Sequence, residues 1–173
     1  TTRGYDVIPA RYQNFYPDLS LVSPQGHRFA LDLKTCFRLF DSSGSFRGRV
    51  SGFTLGAFTG YFRNRQSTKN ITFPYGTYQH HFVVGLVYSQ TTSPPPKVYE
   101  LHELVGIVPP ICDIQVFFHE KWKLATDRPG SGNTRNIGSV TNLTALQHGE
   151  GPFTKLGQAG KRIFDEYWPQ CLN

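Results

Sequence analysis

The chain has 173 residues, 38% hydrophobic and 17% charged, with three cysteines and a formal charge of +6. That is the size of one domain able to bury its own core without disulfide or metal staples. Cys36, Cys112 and Cys171 are few and widely spaced, which argues against a secreted disulfide framework and for a reducing compartment, the cytoplasm. The longest apolar run, residues 82–88, is too short to span a bilayer, so no membrane partner is expected.

In chain order, Leu19 to Val22 and Arg28 to Lys34 read as strands. Ser42 to Arg49 reads as a Ser/Gly/Arg-rich loop, and Phe53 to Phe62 as a helix or an irregular turn. His81 to Ser89 reads as a buried strand, Thr91 to Pro96 as a turn or edge loop, and Ile114 to His119 with Lys121 to Ala125 as two short strands. Asp127 to Asn136 is polar and glycine-bearing, hence a loop. Leu156, Ile163, Phe164, Tyr167 and Trp168 fall on one helical face, and Pro169 stops that helix. Strands in the middle and helices at the edges predict a mixed α/β domain.

Charge is concentrated in one segment. Residues 28–69 carry eight basic and two acidic side chains, leaving ten of each elsewhere. Such a segment suits a polyanion, whose condensed counterions are released on binding, and it also reads as a solvated basic face.

The most informative stretch runs from Tyr16 to Thr35. Ser23-Pro24-Gln25-Gly26-His27 has proline placed for a type I turn and a glycine able to take positive φ, the chemistry of a three-residue hairpin loop. With Ser23 and His27 flanking the loop, Leu19 faces Leu31 and Leu21 faces Phe29, and Leu33 extends the same apolar side. That register sets Asp18 opposite Asp32, with Lys34 on their face. Two carboxylates about 4 Å apart repel by about 4 kcal/mol at an effective dielectric of about 20. The arrangement therefore calls for a cation between them or a proton on one. Oxygen ligands at this spacing suit a hard divalent ion such as Mg²⁺, and a neighbouring ammonium can offset charge growing on a phosphoryl group, so the pattern points to metal-assisted phosphodiester hydrolysis. The alternative is an exposed Asp32–Lys34 pair, with Asp18 capping a turn.

Pro17-Asp18 followed by Asp32-Leu33-Lys34 resembles the PD…D/ExK pattern of restriction-endonuclease-like nucleases. The segments YQNFYPDLSL, ALDLKT, FTLGAFTGYFRN, TKNITFPYGTYQHHFVVGLVYS, QVFFHEKW and GSGNTRNIGSV resemble, in the same order, the EcoRV-like type II restriction endonucleases. The resemblance implies an α/β restriction-endonuclease-like fold, with a central mixed β-sheet flanked by helices and with DNA-reading loops. It implies a homodimer on double-stranded DNA that cleaves both strands at a short palindrome with Mg²⁺, for which Mn²⁺ can substitute. Asp18, Asp32 and Lys34 would be catalytic, and Asp18, Asp32 and the Leu33 carbonyl would hold the metal. Gly130, Ser131, Gly132, Asn133, Thr134 and Arg135 would form the loop in the major groove. Asparagine can pair bidentately with adenine there, and a threonine methyl can touch thymine. Gln13 and Asn14 would lie in the minor groove, while Thr35 and Lys69 would touch phosphates and so position the duplex.

Arg135 stands where the family pattern has threonine, and the stretch from Lys34 to Phe53 is longer and brings Arg47 and Arg49. Residues 1–173 are expected to form a single catalytic and DNA-binding domain, with an N-terminal dimerisation segment and part of the C-terminus lying outside it. Two other readings use the same scaffold: a mismatch- or structure-selective repair nuclease, and a DNA-binding protein that does not cleave. His80-His81 carries no metal reading, because adjacent strand residues point to opposite faces. Cys36 reads as a packing residue rather than a nucleophile.

Overall fold

The hairpin predicted around Pro24 organises the domain. In the computed structural model, which describes residues 4–92, 97–130 and 136–170, Gly26 takes φ +81°. Its amide donates to Ser23 O at 2.8 Å, as does the Ser23 amide to His27 O. Ser23 Oγ accepts from the amides of Gln25 and His27, so the turn satisfies its own backbone groups. Strands β1 (Asp6–Pro9), β2 (Leu19–Val22) and β3 (Arg28–Phe40) follow. The register is the expected one, with Leu19 opposite Leu31 and Leu21 opposite Phe29.

Three further strands complete the central sheet: β4 (Phe46–Val50), β6 (Tyr78–Gln90) and β7 (Ile111–Glu120). The order is β1-β2-β3-β6-β7, with β4 pairing the outer end of β3. The β3–β6 pair is parallel and the others antiparallel, so the sheet is mixed. A second, three-stranded sheet has β9 (Asn136–Ser139) between β5 (Thr54–Phe58) and β8 (Ala125–Pro129).

Short helices close the core: α1 (Thr59–Arg63), α2 (Lys121–Leu124), α3 (Leu143–His148) and α4 (Gly160–Gln170). Asn142 caps α3, its Oδ1 accepting from the Ala145 amide at 2.9 Å. Trp168, Leu55, Leu124, Ile137 and Leu146 are fully buried. Among the described residues no helix is long and apolar enough to cross a membrane.

The two faces of the hairpin differ in a way that matters for the site. The face pointing into the molecule carries Ser20, Ala30, Asp32 and Cys36, all buried. The all-leucine and phenylalanine face is the more open one. Leu33 is 51% exposed, and Leu21, Phe29, Leu31, Phe82, Val84 and Phe118 line a shallow groove with Tyr5. Asp32 is thus an acid on the core side of a central strand.

Several sequence expectations change. Ser42 to Arg49 is not a loop throughout: only a short turn separates β3 from β4, and Asp41 Oδ1 accepts from the amides of Ser43 and Ser45 there. Phe53 to Phe62 holds a strand and then a helix, because pairing with β9 outweighs the glycines. Lys121 to Leu124 is one helical turn, not a strand, with Lys121 and Leu124 buried three residues apart. Asp127 to Pro129 belongs to β8. The C-terminal helix forms with Phe164 and Trp168 buried, but Leu156 lies in a preceding 3₁₀ segment, and Pro169 sits inside the last turn. Of Thr91 to Pro96, residues 93–96 lie outside the described residues.

Candidate active site

Asp18 immediately precedes β2, where the chain leaves Tyr16 and Pro17, both buried. Tyr16 is clamped by its backbone: its amide donates to Asn70 O at 3.0 Å, and its carbonyl accepts from the Thr72 amide at 2.9 Å. Across the hairpin, Asp18 Oδ2 accepts from the Leu33 amide at 2.6 Å. The same hairpin sets Asp18 near enough to Asp32 for each carboxyl to feel the other, Asp18 raising the Asp32 carboxyl. Lys34 Nζ lies 3.0 Å from Asp32 Oδ2. The contact is an ion pair without hydrogen-bond alignment, since Asp32 Oδ2 is buried and accepts no hydrogen bond. The three residues singled out for catalysis are therefore brought together.

Electrostatics are those of a crowded, poorly solvated acid. Burial pushes the Asp32 carboxyl above the usual carboxylate range, and Asp18 pushes the same way, while Lys121 and Lys34 pull it back. Lys121 is 1% exposed. Burial lowers its ammonium below the usual lysine range, and the charges of Asp32 and Asp18 oppose that. The Lys121 ammonium donates to Tyr16 Oη at 2.5 Å and sits 3.8 Å from the centre of the Tyr16 ring. Burial also holds the Tyr16 phenol well above its ordinary range and the His81 imidazolium well below its own. The Tyr16 hydroxyl shares a hydrogen bond with His81 Nδ1, 2.7 Å away, and the imidazole stacks on Tyr75 at 3.9 Å.

Lys121, Tyr16 and His81 were not legible as site residues. Lys121 belongs to a run read as a strand, and its burial follows from the helical turn at the end of β7. Nothing in the His80-His81 pair itself marks His81 as the one that turns inward. The two do point to different surroundings: His80 Nδ1 contacts Glu120 at 2.7 Å on the open side, while His81 faces Tyr16. Cys36, two residues beyond Lys34, is 1% exposed. Its thiol is pushed up to about 11 by burial, in keeping with a packing role.

Residues expected to touch DNA fall into three groups. Gln13 and Asn14 are exposed in the turn just before Tyr16. Thr35 is exposed next to Lys34, and Lys69 is exposed beside Asn70, whose carbonyl holds Tyr16. Both Lys69 O and Asn70 O accept from the Tyr61 hydroxyl. Gly130 closes the β8–β9 hairpin, its amide donating to Asn136 O at 2.8 Å. Ser131, Gly132, Asn133, Thr134 and Arg135 lie outside the described residues.

The donor set fits a hard divalent ion. It offers two adjacent carboxylates, one with a buried oxygen lacking a hydrogen-bond donor. In an extended strand the N–H and C=O of one residue point to the same edge, so the Leu33 carbonyl also points toward Asp18. Among the described residues no group of three or more His, Cys, Asp or Glu side chains could hold a metal. Carboxylate and carbonyl oxygens are ligands of the kind that a hard divalent cation takes.

A mixed sheet whose central hairpin presents an acid from each strand and a lysine two residues on has the architecture of the restriction-endonuclease-like nucleases. A family model described as restriction endonuclease EcoRV matches residues 1–172, and the chain belongs to that family. It is similar to the type II restriction enzyme EcoRV of Escherichia coli, being 35% identical over 170 residues, with 95% of this chain and 64% of that protein covered. The chain thus spans a little under two thirds of the length of the curated relative it matches.

Proposed function

We propose that this chain supplies the catalytic and DNA-binding core of a type II restriction endonuclease, which hydrolyses both strands of double-stranded DNA at a short palindrome with Mg²⁺, or Mn²⁺ in its place. The observation that carries this reading is the Asp18–Asp32–Lys34 cluster on the β2–β3 hairpin, in a chain matched along 1–172 by the family model. Asp18 and Asp32, with the Leu33 carbonyl, would hold the ion. An ion held there would supply Lewis-acid stabilisation of the phosphate and a more acidic water. Lys34, anchored by Asp32, orients that water and offsets charge developing on the phosphoryl oxygens. The Leu33 amide keeps Asp18 directed at the same place. A twofold homodimer matches a palindrome because each half-site meets the same surface.

The test is incubation of the protein with plasmid DNA, in Mg²⁺ and in chelator. Discrete fragments that need the divalent ion, with GATATC as the first site to examine at their ends, support the reading. Cutting confined to mismatched or branched DNA, or no cutting of any duplex, overturns it. For base reading, Asn133→Ala is expected to lose discrimination between target and non-target duplex by about 10–100-fold, from loss of a bidentate contact, while affinity for non-target duplex changes little. Competition binding in Ca²⁺ measures both, and unchanged discrimination places base reading elsewhere.

A further inference from the structure

Lys121 is a buried ammonium-bearing side chain for which the hydrolysis just described has no use. Charged side chains are seldom buried without a partner charge. The register places Asp32, Val83 and His119 in one row across β3, β6 and β7, and Lys121 follows His119 by two residues. Its stem turns inward at the start of α2, and its head is anchored by the Tyr16 hydroxyl, which His81 holds from the other side. The anchor residue is two positions before Asp18. The acidic pair therefore has two cations at hand: Lys34 in contact with Asp32 at 3.0 Å, and buried Lys121, held by Tyr16 and acting electrostatically on both Asp32 and Asp18.

We propose that Lys121, anchored on Tyr16 two residues before Asp18, is a built-in counter-cation to Asp18 and Asp32 that weakens the hold of the acidic pair on a divalent ion until DNA brings further negative charge. This deepens the proposed function and rests on it. With both ammonium groups in place, two carboxylates and two cations leave the pocket close to neutral, and a free ion gains little by entering. A scissile phosphate adds an anion and oxygen ligands together, which tips the balance toward the ion. Metal uptake is thereby tied to substrate, and the tie is electrostatic. Lys34 cannot serve alone, because it must be free to face the phosphate.

The test is Mn²⁺ binding to the full chain without DNA at pH 6.0, below the value of about 7 to which burial lowers the Lys121 ammonium, followed by calorimetry or by loss of the free-ion electron paramagnetic resonance signal. Lys121→Met removes the charge and keeps the stem. It is expected to bind Mn²⁺ at least about tenfold more tightly than the unsubstituted protein, by the Coulomb attraction released. The gain in affinity on adding duplex should shrink by the same factor. Lys121→Arg keeps the charge and is expected to keep the unsubstituted affinity. A merely structural lysine would lower the melting temperature and leave Mn²⁺ affinity equal or weaker, and that result overturns the proposal. If Lys121→Met does not fold, Lys121→Gln carries the same test, and failure of both neutral variants to fold also overturns it. Failure of the nuclease reading is separately visible, as absence of metal-dependent cleavage by the unsubstituted protein.

Discussion

Asp32→Asn is expected to reduce DNA cleavage by at least about 10³-fold, some 4 kcal/mol of barrier, while leaving the fold intact. The substitution is nearly isosteric, and the pairing it removes with Lys34 and Lys121 is offset by relief of the carboxylate's desolvation and of its repulsion by Asp18. On the proposed mechanism, what is lost is a metal oxygen, together with the anchor of Lys34 at 3.0 Å. Lys34→Met should cost a comparable factor by a different route, because it leaves both carboxylates and removes the cation that faces the phosphate. Since the groups act as a unit, the double variant should be scarcely worse than either single one. Binding of duplex in Ca²⁺ by Asp32→Asn separates chemistry from recognition. Retention of more than about a tenth of the cleavage rate by either variant removes these residues from the reaction.

The largest effect on stability is expected from Gly85→Ala, in the middle of β6. Gly85 lies opposite Phe117 of β7, and a Cβ there would come within 1.9 Å of the Phe117 ring. The ring is 4% exposed and stacks on Phe53 at 6.0 Å. It cannot swing away without opening the contact between the two sheets. Overpacking of this kind costs about 2–3 kcal/mol, which for a chain of this length lowers the melting temperature by about 5–10 °C. Phe117→Leu in the same chain should recover part of the loss, because the smaller side chain makes room for the methyl group. Simple addition of the two penalties would place the strain somewhere other than this pair.

The β2–β3 hairpin was readable because its information is local. A turn with proline and glycine in the right places sets the register, and the register alone faces Asp18 with Asp32. Where pairing is non-local, the reading failed. Phe46-Arg47-Gly48-Arg49-Val50 has the composition of a loop, and it becomes a strand because β3 continues past Lys34 to Phe40 and offers an edge, with Val50 buried against the core. Thr54 to Phe58 becomes a strand in the same way, by pairing with β9 eighty residues away.

The site divided along the same line. The acids and Lys34 came from one hairpin. Lys121 and His81 reach the site from β6 and the end of β7, and nothing in a run such as Glu-Lys-Trp-Lys distinguishes a solvated lysine from a buried one. The apolar stripe of the hairpin was legible as a stripe, but its place on the open side of the sheet was not, because burial depends on what packs against each face.

The most direct measurement of the central claim is the location of Mn²⁺, by its anomalous scattering, in a crystal of the protein with a cleavable duplex. The account predicts an ion about 2.0–2.2 Å from oxygens of both Asp18 and Asp32, touching the scissile phosphate and with Lys34 alongside. An ion bound elsewhere, or a scissile phosphate out of reach of these two carboxylates, would contradict it.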